Sequence, residues 1–315
     1  MLKMYQLGSR HSGASVEFWD ETWKKTSFED ALRFCEVDPL RPLFERFAKP
    51  GSKMLEGGCG QGHYVAYYGS RGVQTLGLDF AQPTLQRLHA YDPRLISCAG
   101  DVSALPFSDG SFDVYYSGGV VEHFENGAEP ALNEAFRVLR PGGVLLISVP
   151  YNSPLRKTLF FLKSGQWKRV RQAQVDAKDD VDHRQFFQYA YSQSEFKKML
   201  RRAKLRVIDT QGYGILWGLC DLGMLQVLVE RLMRRMASNK RLQAAGPGGV
   251  ADGADAAVST STEANQPAAD ISPIRGLLKR LIISEDDKVP LIGFGVRLLR
   301  WACANMMMYV CVREK

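Results

Sequence analysis

The stretch Met54-Leu55-Glu56-Gly57-Gly58-Cys59-Gly60-Gln61-Gly62 constrains this chain more than any other. A short apolar run ends in an acid, and glycines then recur at every second position: Gly58, Gly60 and Gly62. The pattern reads as a strand that stops at Glu56 and a helix that starts after Gly62. Glycines in such a turn let the backbone bend sharply and approach a ligand where a Cβ would collide. The helix start adds backbone N–H groups with no intrahelical partner. The near rival is the dinucleotide fingerprint G-x-G-x-x-G. Counted from Gly58 and Gly60, it needs glycine at 63, where His63 stands. Counted from Gly57, it needs glycine at 59, where Cys59 stands. The spacing here is the tighter one.

Four further segments follow in order. Val73-Gln74-Thr75-Leu76-Gly77-Leu78-Asp79 reads as a second strand ending in an acid, seventeen residues past Gly62. An acid there can accept hydrogen bonds from both hydroxyls of a ribose. It can also cap the helix opened by Ala81-Gln82-Pro83. An apolar pair, Leu95-Ile96, leads to Ala99-Gly100-Asp101-Val102. Phe112-Asp113-Val114-Tyr115-Tyr116-Ser117-Gly118 reads as another strand, followed by Gly119-Val120-Val121-Glu122-His123-Phe124. A helix with apolar residues at 132, 135, 136 and 139 then meets a Pro141-Gly142-Gly143 stop. The apolar strand after it shows no alternation, as expected of a sheet covered on both faces.

In order and spacing these five motifs resemble the class I S-adenosylmethionine (SAM)-dependent methyltransferases, and within them the ubiquinone/menaquinone-type small-molecule group. The resemblance covers residues 51–150 closely and is loose elsewhere. It implies a doubly wound, seven-stranded, mostly parallel α/β sheet whose last strand is antiparallel and inserts between strands five and six. It implies SAM as cofactor, with contacts from Glu56, Gly57, Gly58, Gly60, Asp79, Phe80, Asp101, Val102, Ser117 and Gly118. In that family an acid in the place of Asp101 faces the adenine amino group, and the next backbone N–H, here that of Val102, faces a ring nitrogen.

The chain reads as one domain over 1–315. Residues 1–50 form an N-terminal cap with a helix from about Phe28 to Phe47, and Phe18-Trp19-Asp20 with Trp23 read as a lid or as plain helix packing. Residues 51–150 form the cofactor-binding core. Residues 151–203 are an insertion suited to covering an acceptor. Leu205–Thr210 and Met306–Val312 read as the last two strands. Within the crossover between them, 244–273 is rich in Ala, Gly, Ser, Thr and Asp, lacks large apolar bulk, and reads as a disordered linker. At 315 residues and 45% hydrophobic, the chain can bury a large core. The first residues lack the apolar stretch of a secretory signal, and no run of about eighteen apolar residues is present. The six cysteines show no C-x-x-C, which points to a reduced, cytoplasmic protein without a metal site, with Cys59 a small filler of the glycine loop.

The net charge of +7 is uneven. Arg156, Lys157, Lys163, Lys168, Arg169 and Arg171 interleave with Leu159, Phe160, Phe161, Leu162 and Trp167, and the crossover adds Arg231, Arg234 and Arg235. Such segments read either as solvated helices or as peripheral contacts with an anionic membrane. Nucleic acid is the less favoured partner, because Ser117-Gly118-Gly119-Val120 replaces the N/D-P-P-Y motif of exocyclic-amine methyltransferases. For transfer to a hydroxyl, His123 and His183 are the candidate bases. The expected function is methyl transfer to the oxygen or carbon of a small or lipid-like acceptor. The alternative is a SAM-binding scaffold without turnover. An aminopropyl-type transferase on the same fold would want an acidic pocket, which a basic chain disfavours.

Overall fold

The computed structural model describes residues 1–7, 15–162, 184–220, 285 and 290–315. The candidate base His183, the expected 244–273 linker and the basic residues Arg169, Arg171, Arg231 and Arg234 lie outside the described residues.

A seven-stranded sheet forms the centre. Its strands are β2 (Lys53–Gly57), β3 (Gln74–Asp79), β4 (Ser97–Ala99), β5 (Phe112–Gly118), β6 (Leu139–Pro150), β8 (Leu205–Tyr213) and β9 (Met306–Arg313). They lie in the order β4-β3-β2-β5-β6-β9-β8. The first five are mutually parallel, and β9 runs antiparallel between β6 and β8. This is the doubly wound sheet that the sequence implies. A separate two-stranded ribbon pairs β1 (Leu2–Leu7) with β7 (Arg184–Ala190), antiparallel.

Helices cover both faces. They are α1 (Val16–Trp23), α2 (Phe28–Val37), α3 (Arg41–Phe47), α4 (His63–Gly69), α5 (Gln82–Tyr91), α6 (Glu129–Val138), α7 (154–162), α8 (Gln193–Arg202), α9 (Ile215–Cys220) and α10 (Pro290–Cys303). One core packs α6 and α8 against the sheet through Leu132, Val138, Phe196 and Leu200, with Leu145, Ile147 and Tyr309 on the strands. On the other face Phe44 stacks with Tyr64 and Tyr68 beneath Tyr116. The eight residues 143–150 of β6 are all buried, which is why that strand carries no polar alternation.

The expected single helix from Phe28 to Phe47 is in fact two. Asp38 is extended (ψ 123°) because Pro39 follows it and disfavours helical geometry in the residue before. The buried Asp38 side chain then organises the break. Its Oδ1 accepts from Leu40 N at 2.9 Å, and its Oδ2 accepts from Tyr64 Oη at 2.6 Å.

The end of α6 is tied to the loop after β4 by one side chain. Arg137 donates to both oxygens of Glu134 at 2.7 Å, to the Leu105 and Phe107 carbonyls at 2.9 and 2.6 Å, and to Asp109 at 2.9 Å. Glu134 also accepts from Leu105 N at 2.7 Å. The planar guanidinium satisfies several acceptors at fixed angles, which an ammonium cannot match. Arg137→Ala is expected to cost about 2 kcal/mol, discounted for its partial exposure, and to lower Tm by about 4–8 °C in a calorimetric scan. Arg137→Lys should recover only part of that loss.

Candidate functional site

The strand order reverses between β2 and β5, so the crevice beyond their carboxyl ends is the topological switch point of the sheet. The glycine loop lies on one side of it. Gly58 and Gly60 have φ of 75° and 51°, a region that L side chains avoid. Space is equally restrictive: a Cβ on Gly58 would strike the Val120 side chain, and one on Gly60 would strike the Trp23 indole. The loop after β2 therefore touches both the turn after β5 and the end of α1.

Asp79 fixes the loop. It is 5% exposed, its Oδ2 accepts from Gly60 N at 2.7 Å, and its Oδ1 accepts from Ala81 N at 2.8 Å. Burial pushes its carboxyl up, opposed by the backbone N–H groups of Ala81, Gly60 and Phe80. The acid does not cap α5: it binds the N–H of Ala81, the N-cap residue itself, and α5 has no side-chain cap. A carboxylate offers about four acceptor positions, so capacity is left for a further donor. Glu56 stands at the end of β2, 3% exposed, and burial holds its carboxyl well above the usual range. Cys59 is buried, its thiol is also pushed up by burial, and its sulfur faces Gly77, where a Cβ would sit 2.8 Å away. That environment suits packing and opposes thiolate formation.

The other predicted contacts lie along the same edge. Phe80 is 43% exposed beside Asp79. Asp101 is exposed and accepts from Ser103 N at 2.8 Å, while Val102 is buried in the main core. Ser117 and Gly118 end β5. The Ser117 Oγ, one oxygen of Glu56 and one of Glu122 are buried without a protein hydrogen-bond partner. The structure brings the strand-end residues to one edge of the sheet. A glycine cradle that a Cβ would fill, a buried acid with spare acceptor capacity and an unpaired hydroxyl fit a nucleoside-bearing cofactor such as SAM.

The turn after β5 holds His123. Its Nδ1 lies 2.8 Å from the Phe187 carbonyl, so Nδ1 carries the proton and Nε2 is the basic nitrogen. Its ring meets Trp19 and Phe187 edge-on, each at 5.0 Å. Burial lowers its pKa. Glu122 is the functional candidate that sequence reasoning passed over. Its Oε1 lies 4.0 Å from His123 Nε2, it is 2% exposed, and burial pushes its carboxyl up to about 8. The only sequence signal was an acid directly before a candidate base.

Helix α1 lies across this edge. Ser15 caps it, accepting from Phe18 N at 3.2 Å. Asp20 binds Arg87 at 2.6 Å and Lys24 at 2.9 Å and accepts from Thr84 at 3.2 Å, which clasps α1 to α5. Gln61 in the glycine loop donates to the Trp23 and Thr26 carbonyls. The segment Phe18-Trp19-Asp20 and Trp23, read as a lid or as plain helix packing, packs against Gly60, His123 and Arg87.

Residues 55–147 match the family model described as "Methyltransferase domain". Over 110 residues the chain is 38% identical to a "Probable S-adenosylmethionine-dependent methyltransferase" of Mycolicibacterium smegmatis, covering 34% of this chain and 42% of that protein. Over 100 residues it is 35% identical to a malonyl-[acyl-carrier protein] O-methyltransferase of Erwinia billingiae, covering 32% and 39%. The chain thus spans about two fifths of the length of these curated relatives. A chain of the complex between the Haloferax volcanii Trm112 methyltransferase activator and a candidate methyltransferase superposes with a TM-score of 0.50 at 18% identity, covering 98% of this chain and 100% of that one. The fold is the Rossmann-like methyltransferase fold.

Glu122 gives this edge a pH signature. Its folded pKa is raised, so the stability it contributes is complete below the unfolded pKa of about 4.5 and is lost as pH rises through about 8. Burial lowers the His123 pKa from its ordinary 6.5, so that ring stays neutral in the upper part of that window. Between about pH 6.5 and 9, Glu122→Gln should lose less Tm than the parent protein and be the more stable of the two at the alkaline end. Parallel Tm curves across that range would show that Glu122 does not titrate there.

Proposed function

We propose that the chain is a SAM-dependent methyltransferase that methylates oxygen or carbon of a small or lipid-like acceptor. The observation that carries the cofactor reading is Asp79, buried beside the glycine loop with acceptor capacity to spare. When bound, SAM supplies a methyl group made electrophilic by its sulfonium. Asp79 holds the ribose hydroxyls, the Gly58–Gly62 turn permits close backbone approach, and Asp101 and Val102 meet the adenine edge. Trp19, Trp23 and Phe18 on α1 exclude water from the edge where transfer occurs. His123 takes the proton of a hydroxyl acceptor at Nε2. Its Nδ1 hydrogen bond to Phe187 holds the tautomer, and its lowered pKa keeps it neutral and ready to accept.

The acceptor class draws support from two directions. The motif order resembles that of the ubiquinone/menaquinone-type group. An O-methyltransferase of a carrier-bound acyl group is among the relatives, although it is matched over less than half its length. Among the described residues no helix is long and apolar enough to cross a membrane.

Calorimetry should show SAM binding that weakens more than tenfold in Asp79→Asn, which keeps the shape and removes the charge. That loss corresponds to about 1.5–3 kcal/mol for a charged hydrogen bond. Incubation with methyl-labelled SAM should place label in a lipid or small-phenol extract and not in total tRNA. Label in the tRNA would overturn the acceptor class, and SAM binding without transfer to any fraction would favour the scaffold alternative. With an acceptor in hand, His123→Gln should lower kcat about a hundredfold with SAM affinity unchanged.

A further inference from the structure

Three helices cluster at the carboxyl end of the second half of the sheet. Helix α7 follows β6, α9 follows β8, and α10 leads into β9 at Met306, which pairs with both Pro150 and Tyr213. Leu155 of α7, Ile215 of α9 and Val296 of α10 share one apolar cluster. The approach of α9 to α10 is so close that a Cβ on Gly218 would strike the Cys303 carbonyl. The outer side of this cluster is apolar as well. Phe160 (54%), Leu162 (59%), Trp217 (56%), Phe294 (65%), Leu298 (52%) and Trp301 (58%) are all exposed.

On α10 the exposed residues fall at i, i+4 and i+7, one stripe of a helix whose opposite side buries Val296, Arg300 and Cys303. Apolar stripes of this kind are rare on a surface that meets only water. None of α7, α9 and α10 contains an Asp or Glu. Glu285, which accepts from Ile215 N and from Arg300, is buried behind them. Among the described residues, Lys157 and Arg297 stand exposed beside the aromatic side chains. Tryptophans with flanking cations and no acids match the boundary between lipid head groups and acyl chains.

We propose that the α7–α9–α10 face docks on an anionic membrane surface, with Trp217, Phe294, Leu298 and Trp301 entering the head-group boundary and Lys157 and Arg297 meeting lipid phosphates. Docked in this way, the carboxyl ends of β6 and β8 face the bilayer, on the side of the sheet where an acceptor would enter. The proposal concerns binding alone and stands whether or not the chain transfers methyl groups.

The full chain is tested by flotation with vesicles of equal parts phosphatidylglycerol and phosphatidylcholine, against phosphatidylcholine alone. Binding is expected to the anionic vesicles, to weaken as salt rises, and to be accompanied by quenching of tryptophan fluorescence by brominated acyl chains. Phe294→Glu/Leu298→Glu/Trp301→Glu should reduce binding at least tenfold. Lys157→Glu/Arg297→Glu touches only exposed positions, so it keeps the test valid if the triple variant misfolds, and it should reduce binding several-fold. Absence of flotation at low salt overturns the proposal, as does undiminished flotation of a folded triple variant. So does a lipid-free dimer that the triple variant disperses, which would make a second copy the occupant. Because flotation needs no turnover, its failure would leave SAM binding and methyl transfer untouched, and failure of those would leave flotation untouched.

Discussion

The carboxylate of Asp79 is the constraint on which the arrangement of the sheet edge depends. It sits where β3 ends and takes one backbone N–H from the glycine loop and one from Ala81, the residue just before α5. Two separate βα units are thereby locked to each other at a single buried point. The loop is also held by Gly58 and Cys59, whose N–H groups donate to the Leu78 carbonyl at 2.7 and 3.0 Å, and by Gln61, which donates to the Trp23 and Thr26 carbonyls. Its position in turn sets where Val120 and Trp23 pack, and through them the turn after β5 and helix α1. An acid at this position is costly to bury, so its backbone bonds do double duty: they satisfy the charge and they build the site.

The elements around His123 come from distant parts of the chain. Trp19 on α1 and Phe187 on β7 clamp the His123 ring from two sides, and β7 is itself paired with β1. Movement of α1 would therefore be felt at the base as well as at the glycine loop. Asp20 links this assembly to α5 through Arg87, and the Lys24 and Arg87 partners hold its carboxyl below its ordinary range.

The centre of the sheet was legible because β2, β5 and β6 are largely buried apolar runs bounded by glycine or an acid, a pattern set by local sterics. The three-residue β4, Ser97–Ala99, is not buried and carries no such run. The positions of Asp79 and Asp101 at strand ends followed from the same rhythm. Less local features were not. The break between α2 and α3 turns on Pro39 and on an Asp38–Tyr64 bond that spans 26 residues. The β1–β7 ribbon joins segments more than 170 residues apart, and neither strand has a neighbouring turn to announce it. Glu122 was in plain view, but its burial comes from distant elements that close over the turn after β5, and periodicity carries no trace of them. The exposed stripe of α10 was hidden for the opposite reason: an apolar helix face in a sequence reads as core.

The placement of β9 has a consequence during synthesis. Strand β6 has only β5 as a neighbour until residues 306–313 are made, since β9 is the strand that separates it from β8. At about 5–20 residues per second, the 155 residues between positions 150 and 306 leave that edge without a partner for roughly 8–30 s. The waiting edge carries the buried apolar run Val144–Val149, the kind that recruits other chains. That interval is when those residues most need shielding.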